Sequence, residues 1–92
     1  MKTGIELIAQ ERAEQIEKHG RTIKSDVEYN SHCELSDGAR LLLTGINELE
    51  RVIPPHNWDR EIWDKMISKP YKERLIIAGA LIAAEIDRLN AA

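Results

Sequence analysis

The chain lacks phenylalanine, has two Trp, two Tyr and a single Cys, and contains no long hydrophobic run. So few aromatic residues provide no stacking platform for single-stranded nucleic acid. One cysteine excludes an internal disulfide and is typical of a reducing compartment. The longest uncharged apolar run, residues 75–84, is about half as long as a membrane span requires. Because the first residues also lack the pattern of a signal peptide, we expect a cytoplasmic protein without a membrane segment.

An excess of positive charge is also missing. The chain has 13 Lys and Arg against 16 Asp and Glu, which gives a net charge of -3. Nucleic-acid binding requires clustered cations that neutralise phosphates. Here the basic residues alternate with acidic ones, as at Glu11-Arg12 and residues 72–74, which is typical of solvated helix faces. The composition therefore predicts no nucleic-acid partner.

The first third of the chain predicts one helix followed by a loop. Thr3 and Glu6 have the spacing of a capping box, and Gly20 is a typical helix stop, so we expect a helix over residues 4–19. Its apolar stripe is formed by Ile5, Ile8, Ala9, Ala13 and Ile16. Residues 20–31 are polar and show no periodicity, which predicts a loop.

The rest of the chain predicts three further helices. Ser31 and Glu34 repeat the capping-box spacing before a helix over residues 32–51, which Pro54-Pro55 ends. A short helix is expected over residues 59–66, with Trp58 and Trp63 on one side; these are favoured as core anchors, with contact to a ligand as the alternative. A long helix is expected from Tyr71 to about Leu89. No strand or linker is predicted. The expected fold is a single all-α domain over residues 1–92, a compact bundle of three longer helices plus one short helix.

The last helix predicts an assembly. Ten consecutive residues, 75–84, carry no polar side chain, so every face of this segment is apolar. A helix that is apolar all round is surrounded by protein, and a monomer rarely exposes such a surface. Gly79 would permit another helix to approach closely. We expect a homo-oligomer formed through the helix at residues 70–90; the alternative is a central helix that one subunit covers by itself.

Polar residues on apolar helix faces are candidates for ligand contact. Arg12 interrupts the stripe of the first helix, with Gln15 beside it and Glu11 one turn before Gln15. These three residues either line a shared groove or form a solvent-facing network with i,i+4 spacing, and taken alone the solvent-facing network is the favoured interpretation. Glu85 continues the apolar row of the last helix, with Arg88 three residues later and Arg74 about three turns earlier. Because a buried carboxylate must be paired or ligated, an internal ion pair of Glu85 is the alternative interpretation.

Two carboxylate pairs form a pattern that resembles a known metal signature. Glu11 and Glu14, and then Glu34 and Asp37, stand three residues apart on predicted helices. Oxygen clusters of this kind bind Mg²⁺. The arrangement is similar to the E-x-x-E and E-x-x-D signature of all-α nucleoside triphosphate pyrophosphohydrolases of the MazG and dUTPase type. The alternative for Glu34 is a role as a helix cap.

A longer set of residues resembles a family of small phage and prophage proteins of unassigned function, whose members are likened to MazG-type pyrophosphohydrolases. The residues that carry this resemblance are Glu11, Arg12, Gln15, Ile16, Gly20, Thr22, Asp26, Glu34, Leu35, Gly38, Ala39, Trp58, Trp63, Lys69, Pro70 and the segment from Arg74 to Leu89. Family members often carry a His-Asp-Asp-x-x-His-like loop, of which this chain keeps only Asp26.

The resemblance implies two functions of different classes in a bacterial host. One is a Mg²⁺-dependent nucleotide pyrophosphohydrolase whose metal is held by Glu11, Glu14, Glu34 and Asp37. The other is a non-catalytic oligomer without a cofactor, which sequesters a host signalling nucleotide of the cyclic-nucleotide or ADP-ribose type in pockets between subunits. A third possibility is a protein-interaction module. We favour the nucleotide-binding oligomer. Its candidate ligand-binding residues are Arg12, Gln15, Asp26, Trp58, Trp63, Lys69, Arg74, Glu85 and Arg88, and Tyr29 is a further candidate for contact with a base or ribose.

Overall fold

A computed structural model of the chain describes residues 1–44, 54–55 and 58–91. The fold is compact and all-helical: 79% of the described residues lie in helices and none of them forms a strand. They contain five helices, which are α1 (Gly4–His19), α2 (Ile23–Tyr29), α3 (Glu34–Thr44), α4 (Arg60–Ile67) and α5 (Tyr71–Ala91). The all-α prediction is confirmed, with two short helices instead of one. No described helix combines the length and apolarity that crossing a bilayer needs.

Helix α1 begins and ends as predicted. The Thr3 side chain accepts a hydrogen bond from the Glu6 amide, and the Glu6 carboxylate accepts one from the Thr3 amide. At the other end Gly20 adopts a left-handed conformation with φ 64°, which glycine tolerates without a steric penalty. Both ends are therefore determined by local chemistry.

Helix α2 contradicts the predicted loop over residues 20–31. Thr22 caps it by accepting a hydrogen bond from the Ser25 amide, and Asp26 is fully buried at its centre. Seven residues are too few to show helical periodicity or to be stable alone. Packing against α5 supplies the stability that the local pattern does not indicate.

The predicted capping box at the start of α3 is wrong. The helix begins at Glu34, because Cys33 adopts a left-handed conformation with φ 68° and breaks the helical path. The Glu34 carboxylate accepts a hydrogen bond from the His32 amide, and the Ser31 hydroxyl contacts His32 Nδ1 instead of capping the helix. The predicted end of this helix, at residue 51, lies outside the described residues.

Helices α4 and α5 agree with prediction to within two residues at each end. Asp59 caps α4 by accepting a hydrogen bond from the Ile62 amide. Helix α5 is the centre of the fold, and α1, α2 and α3 all pack on it. The core between α3 and α5 contains Leu35, Leu42, Ala78, Leu81 and Ala84, and Trp63 of α4 joins it.

The structure shows that α5 is only partly covered. Gly79 permits a close approach as predicted, but the neighbour is Ile8 of the same chain, since a Cβ at position 79 would lie 2.6 Å from Ile8 Cδ1. Further along the same side of α5, Ile82, Ile86 and Leu89 are 45%, 53% and 57% exposed. One chain therefore covers part of this helix and leaves an apolar strip.

The predicted inner stripe of α1 is largely wrong. Ile5, Ala9, Ala13 and Ile16 are exposed, and Ile8 is only half-buried. Arg12 and Gln15 are the buried residues of this helix. Helix α1 is therefore rotated about its axis relative to the predicted orientation. The reason is electrostatic, because the Arg12 guanidinium lies near the carboxylates of Asp26 and Asp87.

Gly38 on α3 provides a test of the packing. A Cβ there would lie 2.7 Å from the rigid Trp58 ring, whereas at Gly79 it would meet the flexible end of Ile8. Overpacking costs about 1–3 kcal/mol, and the helix preference of Ala offsets roughly 1 kcal/mol of it. We expect Gly38→Ala to lower the free energy of unfolding, measured in urea, by about 1 kcal/mol more than Gly79→Ala. Equal effects would contradict the close contact of Trp58 with α3.

Candidate functional site

Asp26 lies at the centre of a buried polar network. Its Oδ1 accepts a hydrogen bond of 2.9 Å from Asn30 Nδ2, and Asn30 Oδ1 accepts one of 2.9 Å from Trp58 Nε1. Its Oδ2 lies 3.8 Å from Arg12 Nη2. The network therefore connects α1, α2 and the segment before α4 through polar side chains.

The Arg12 guanidinium makes fewer hydrogen bonds than it is able to donate. Its Nη1 donates a hydrogen bond of 3.0 Å to the Arg21 carbonyl, and its Nη2 lies 3.6 Å from Asp87 Oδ2. Among the described residues, Arg12 Nε and Nη2 and Asp26 Oδ2 are buried without a hydrogen-bond partner. Because buried polar atoms are nearly always paired, this cluster calls for an explanation beyond simple packing.

Burial raises the pKa of the Asp26 carboxyl. The hydrogen bond from Asn30 opposes this effect, as do the positive charges of Arg12 and Arg21, while the negative charge of Glu85 adds to it. The raised pKa means that the folded chain binds the proton of Asp26 more readily than an unfolded chain does.

A second polar group lies where α5 faces the start of α3. Arg88 Nε donates a hydrogen bond to Glu85 Oε1, and only 13% and 12% of these two side chains are exposed. This bond raises the pKa of Arg88 against the effect of burial, and the negative charges of Glu85 and Glu34 act in the same direction as the bond. The internal ion pair, given above as the alternative for Glu85, is the arrangement in the structure.

Two surface clefts meet at Arg21. We call the first the aromatic cleft; it has a volume of about 380 Å³ and is lined by Arg21, Tyr29, Asn30, Trp58 and Asp59. We call the second the basic cleft; it has a volume of about 330 Å³ and is lined by Glu11, Glu14, Gln15, His19, Arg21, Ile62, Lys65, Met66, Lys69 and Ile77. The Arg21 guanidinium carbon lies 5.4 Å from the centre of the Trp58 ring, which is within the range of a cation–π interaction.

The basic cleft has a small surplus of positive charge. Arg21, Lys65 and Lys69 face Glu11 and Glu14. Burial raises the pKa of Glu11, and the neighbouring charge of Glu14 raises it further, against the effects of a Gln15 hydrogen bond, Lys69 and His19. Burial lowers the pKa of Arg21, although Asp26 and Glu11 oppose this.

Gln15 is a second feature of the basic cleft. Gln15 lines the cleft and is 4% exposed. Its side-chain oxygen, Oε1, has no hydrogen-bond partner among the described residues. The cleft wall therefore contains a buried acceptor whose hydrogen-bonding capacity is unused.

The predicted ligand-binding residues fall into four groups. Arg12, Asp26 and Trp58 belong to the buried network, and Gln15 and Lys69 line the basic cleft. Glu85 and Arg88 form an ion pair with each other. Trp63 and Arg74 make contacts that support the fold.

Trp63 and Arg74 support the fold. Trp63 is 1% exposed and packs edge-on against Trp58, with 5.8 Å between ring centres. Arg74 donates hydrogen bonds from Nη1 to the Leu42 carbonyl at 2.7 Å and from Nε to the Lys69 carbonyl at 3.1 Å. Arg74 therefore satisfies backbone oxygens, one of them near the end of α3.

The four carboxylates of the predicted metal site lie in two places. Glu11 and Glu14 line the basic cleft, whereas Glu34 and Asp37 line a separate cavity of about 620 Å³. In the described part of the chain, α1 and α3 pack on α5 and not on each other. No group of three or more potential metal-binding side chains is found there.

Sequence reasoning missed Arg21, Asn30 and Lys65. Arg21 and Asn30 fell in the predicted loop, and the signal that would have revealed them is the Thr22 cap, which places Asn30 one helical turn after Asp26. Lys65 was not distinguished from other surface charges. Its position matters only because α4 brings it to the same cleft as Lys69.

Comparisons of the chain with models of protein families, with curated proteins and with solved structures found no match. The resemblance to the phage protein family therefore stays a prediction.

The raised pKa of Asp26 predicts a pH dependence of stability. Between the ordinary Asp pKa of about 3.9 and the raised value, the folded chain binds more protons than the unfolded chain, so stability falls as pH rises through this window, by up to about 1.4 kcal/mol per pH unit. We expect Asp26→Asn to remove this fall in urea unfolding measured as a series over pH. Asp64→Asn, at an exposed position of α4, is the control. A profile of Asp26→Asn equal to that of the unchanged protein would contradict the assignment.

Proposed function

We propose that this chain is a non-catalytic binder of a nucleotide-type ligand, with phosphate in the basic cleft and the base or ribose in the aromatic cleft. The observation that carries the proposal is the meeting of the two clefts at Arg21. A nucleotide combines an anionic group with a flat ring, and the two clefts offer cations and aromatic rings on either side of one guanidinium.

The basic cleft supplies groups suited to phosphate. Arginine forms paired hydrogen bonds with phosphate oxygens, and lysine adds a mobile positive charge. Arg21, Lys65 and Lys69 supply these groups. The cleft therefore matches the phosphate part of a nucleotide.

The buried network keeps Arg21 in position between the clefts. Arg12 donates to the Arg21 carbonyl, and the Arg21 amide donates to the Gln15 carbonyl at 3.0 Å. The Trp58 ring beneath the guanidinium is itself held by Asn30. Binding loses less free energy when the recognising group is already ordered, which gives the buried cluster a functional reason.

The aromatic cleft supplies a surface for a ring. Tyr29 is 60% exposed, and one face of Trp58 lies under Arg21. A base that packs on Tyr29 would gain about 1–3 kcal/mol from stacking. This part of the site favours a nucleotide over inorganic phosphate.

The resemblance to phage proteins extends the proposal to a biological role. On that basis the ligand is a host signalling nucleotide, of the cyclic-nucleotide or ADP-ribose type, which the chain sequesters in the bacterial cytoplasm. Sequestration requires no general base and no metal cluster. The enzyme alternative requires convergence of Glu11, Glu14, Glu34 and Asp37, which lie in separate places in this chain.

Binding is tested with ATP, cyclic AMP, a cyclic dinucleotide and ADP-ribose in isothermal titration calorimetry, with and without Mg²⁺. We expect Arg21→Ala, and the double change Lys65→Ala with Lys69→Ala, to weaken binding at least tenfold, which corresponds to about 1.4 kcal/mol. Lys24→Ala removes an exposed cation outside both clefts and should leave the affinity unchanged. Equal losses in all three variants would contradict a specific site.

The fate of the ligand distinguishes binding from catalysis. We expect intact nucleotide to be recovered after the protein is denatured by heat. Release of pyrophosphate in the presence of Mg²⁺, abolished by changing Glu34 and Asp37 together to Ala, would overturn the proposal in favour of the pyrophosphohydrolase. Failure to bind any of the four probes would favour the interaction module.

Glu11 predicts how affinity changes with pH. Its carboxylate repels an anion in the basic cleft, and its pKa is raised, so affinity for ADP-ribose should increase as pH falls toward that pKa. We expect Glu11→Gln to bind more tightly at neutral pH and to show a weaker pH dependence in calorimetry. His19, Glu14, Lys65, Lys69 and Arg21 face the same cleft and remain in both proteins. Weaker binding by Glu11→Gln would show that the carboxylate contacts the ligand favourably.

A further inference from the structure

Two helices of this fold leave apolar strips in contact with solvent. On α1 the strip consists of Ile5, Ala9, Ala13 and Ile16, and on α5 it consists of Ile82, Ile86 and Leu89. We call the two strips together the apolar face. No charged residue belongs to it.

The two strips border one another. Helix α1 crosses α5 where Ile8 meets Gly79. Further along both helices the Arg12 guanidinium lies 3.6 Å from Asp87 Oδ2 in the last third of α5, the part that carries Ile86 and Leu89. Ile16 is one turn after Arg12, so this end of the α1 strip lies at the same end of the helix pair as Ile86 and Leu89.

We propose that the apolar face binds a second copy of this chain, with the two α1 helices antiparallel across a two-fold axis. The strip of α1 has the same order from either end: a large residue, two alanines and a large residue. In an antiparallel pair Ile5 faces Ile16 of the other copy, and Ala9 faces Ala13. A two-fold interface requires this self-complementarity, and the central alanines permit the helix axes to approach closely.

The exposed area is sufficient for a pair of copies. Ile5 is 83% exposed and Ile16 is 37% exposed, and the α5 residues are about half exposed. These fractions correspond to on the order of 500 Å² for each copy, so that two copies approach the roughly 1,000 Å² expected of a biological interface. This size falls toward the upper end of the roughly 300–600 Å² that the largest apolar patch of a monomer covers, and such patches often mark interaction sites.

Charges at the ends of the strip favour a second copy over a lipid surface. Lys2 lies just before α1 and Glu17 lies near its end, and both are exposed. Antiparallel pairing brings Lys2 of one copy toward Glu17 of the other. An anionic membrane would instead repel Glu6 and Glu17 beside the strip, because acidic residues gain nothing from its negative potential.

The mass in solution tests the pairing. We expect light scattering coupled to size-exclusion chromatography to give a mass of two chains at micromolar concentration. Ala9→Glu places a charge at the centre of the α1 strip and should give the mass of one chain. Lys18→Gln changes the net charge by the same amount on the far side of α1 and should leave the pair intact. Circular dichroism shows whether each variant remains helical, since position 9 is exposed in a single chain. A helical unchanged protein with the mass of one chain would overturn the proposal.

Cross-linking tests the antiparallel register. In a Cys33→Ser background, a mixture of Ile5→Cys and Ile16→Cys proteins should form a mixed disulfide on mild oxidation, at least fivefold more than either protein alone. Preferential disulfides within the Ile5→Cys protein alone would indicate a parallel pair and overturn the proposed geometry. This outcome is independent of the ligand, because neither position lines the basic or the aromatic cleft.

Discussion

Burial of the Asp26 carboxylate beside Arg12 constrains the rest of the structure. A charge removed from water must be compensated nearby, and the cation comes from α1. Helix α1 must therefore turn Arg12 inward. Asp87 of α5 adds a second carboxylate on the other side of the guanidinium. Helices α1, α2 and α5 therefore meet around the charges of Arg12, Asp26 and Asp87.

The orientation of α1 has a consequence on the outside of the molecule. With Arg12 and Gln15 buried, the adjacent strip of Ile5, Ala9, Ala13 and Ile16 is left exposed. The apolar surface that the core of one chain does not use is then available for assembly. The same orientation of α1 therefore buries its polar residues and exposes the surface of the proposed pairing.

The same network has a consequence for the clefts. Arg12 donates to the Arg21 carbonyl, and Asn30, which holds Asp26, also holds the Trp58 ring under the Arg21 guanidinium. Arg21 is thereby fixed where the basic and aromatic clefts meet. In the proposed function the buried charges contribute by ordering this group, and they do not have to contact the ligand.

The sequence by itself determined the parts of this protein that depend on neighbours along the chain. The Thr3 cap and the Gly20 stop act within four residues, so the bounds of α1 were predictable, and the unbroken apolar run of residues 75–84 predicted the long last helix. Only the tertiary structure decided that α2 exists, that α1 faces inward with Arg12, and that Lys65, Lys69 and Arg21 share a cleft. These features depend on the pairing of charges and on packing between distant segments. A periodic pattern records which residues are apolar, but it does not record which of them a buried ion pair displaces from the core.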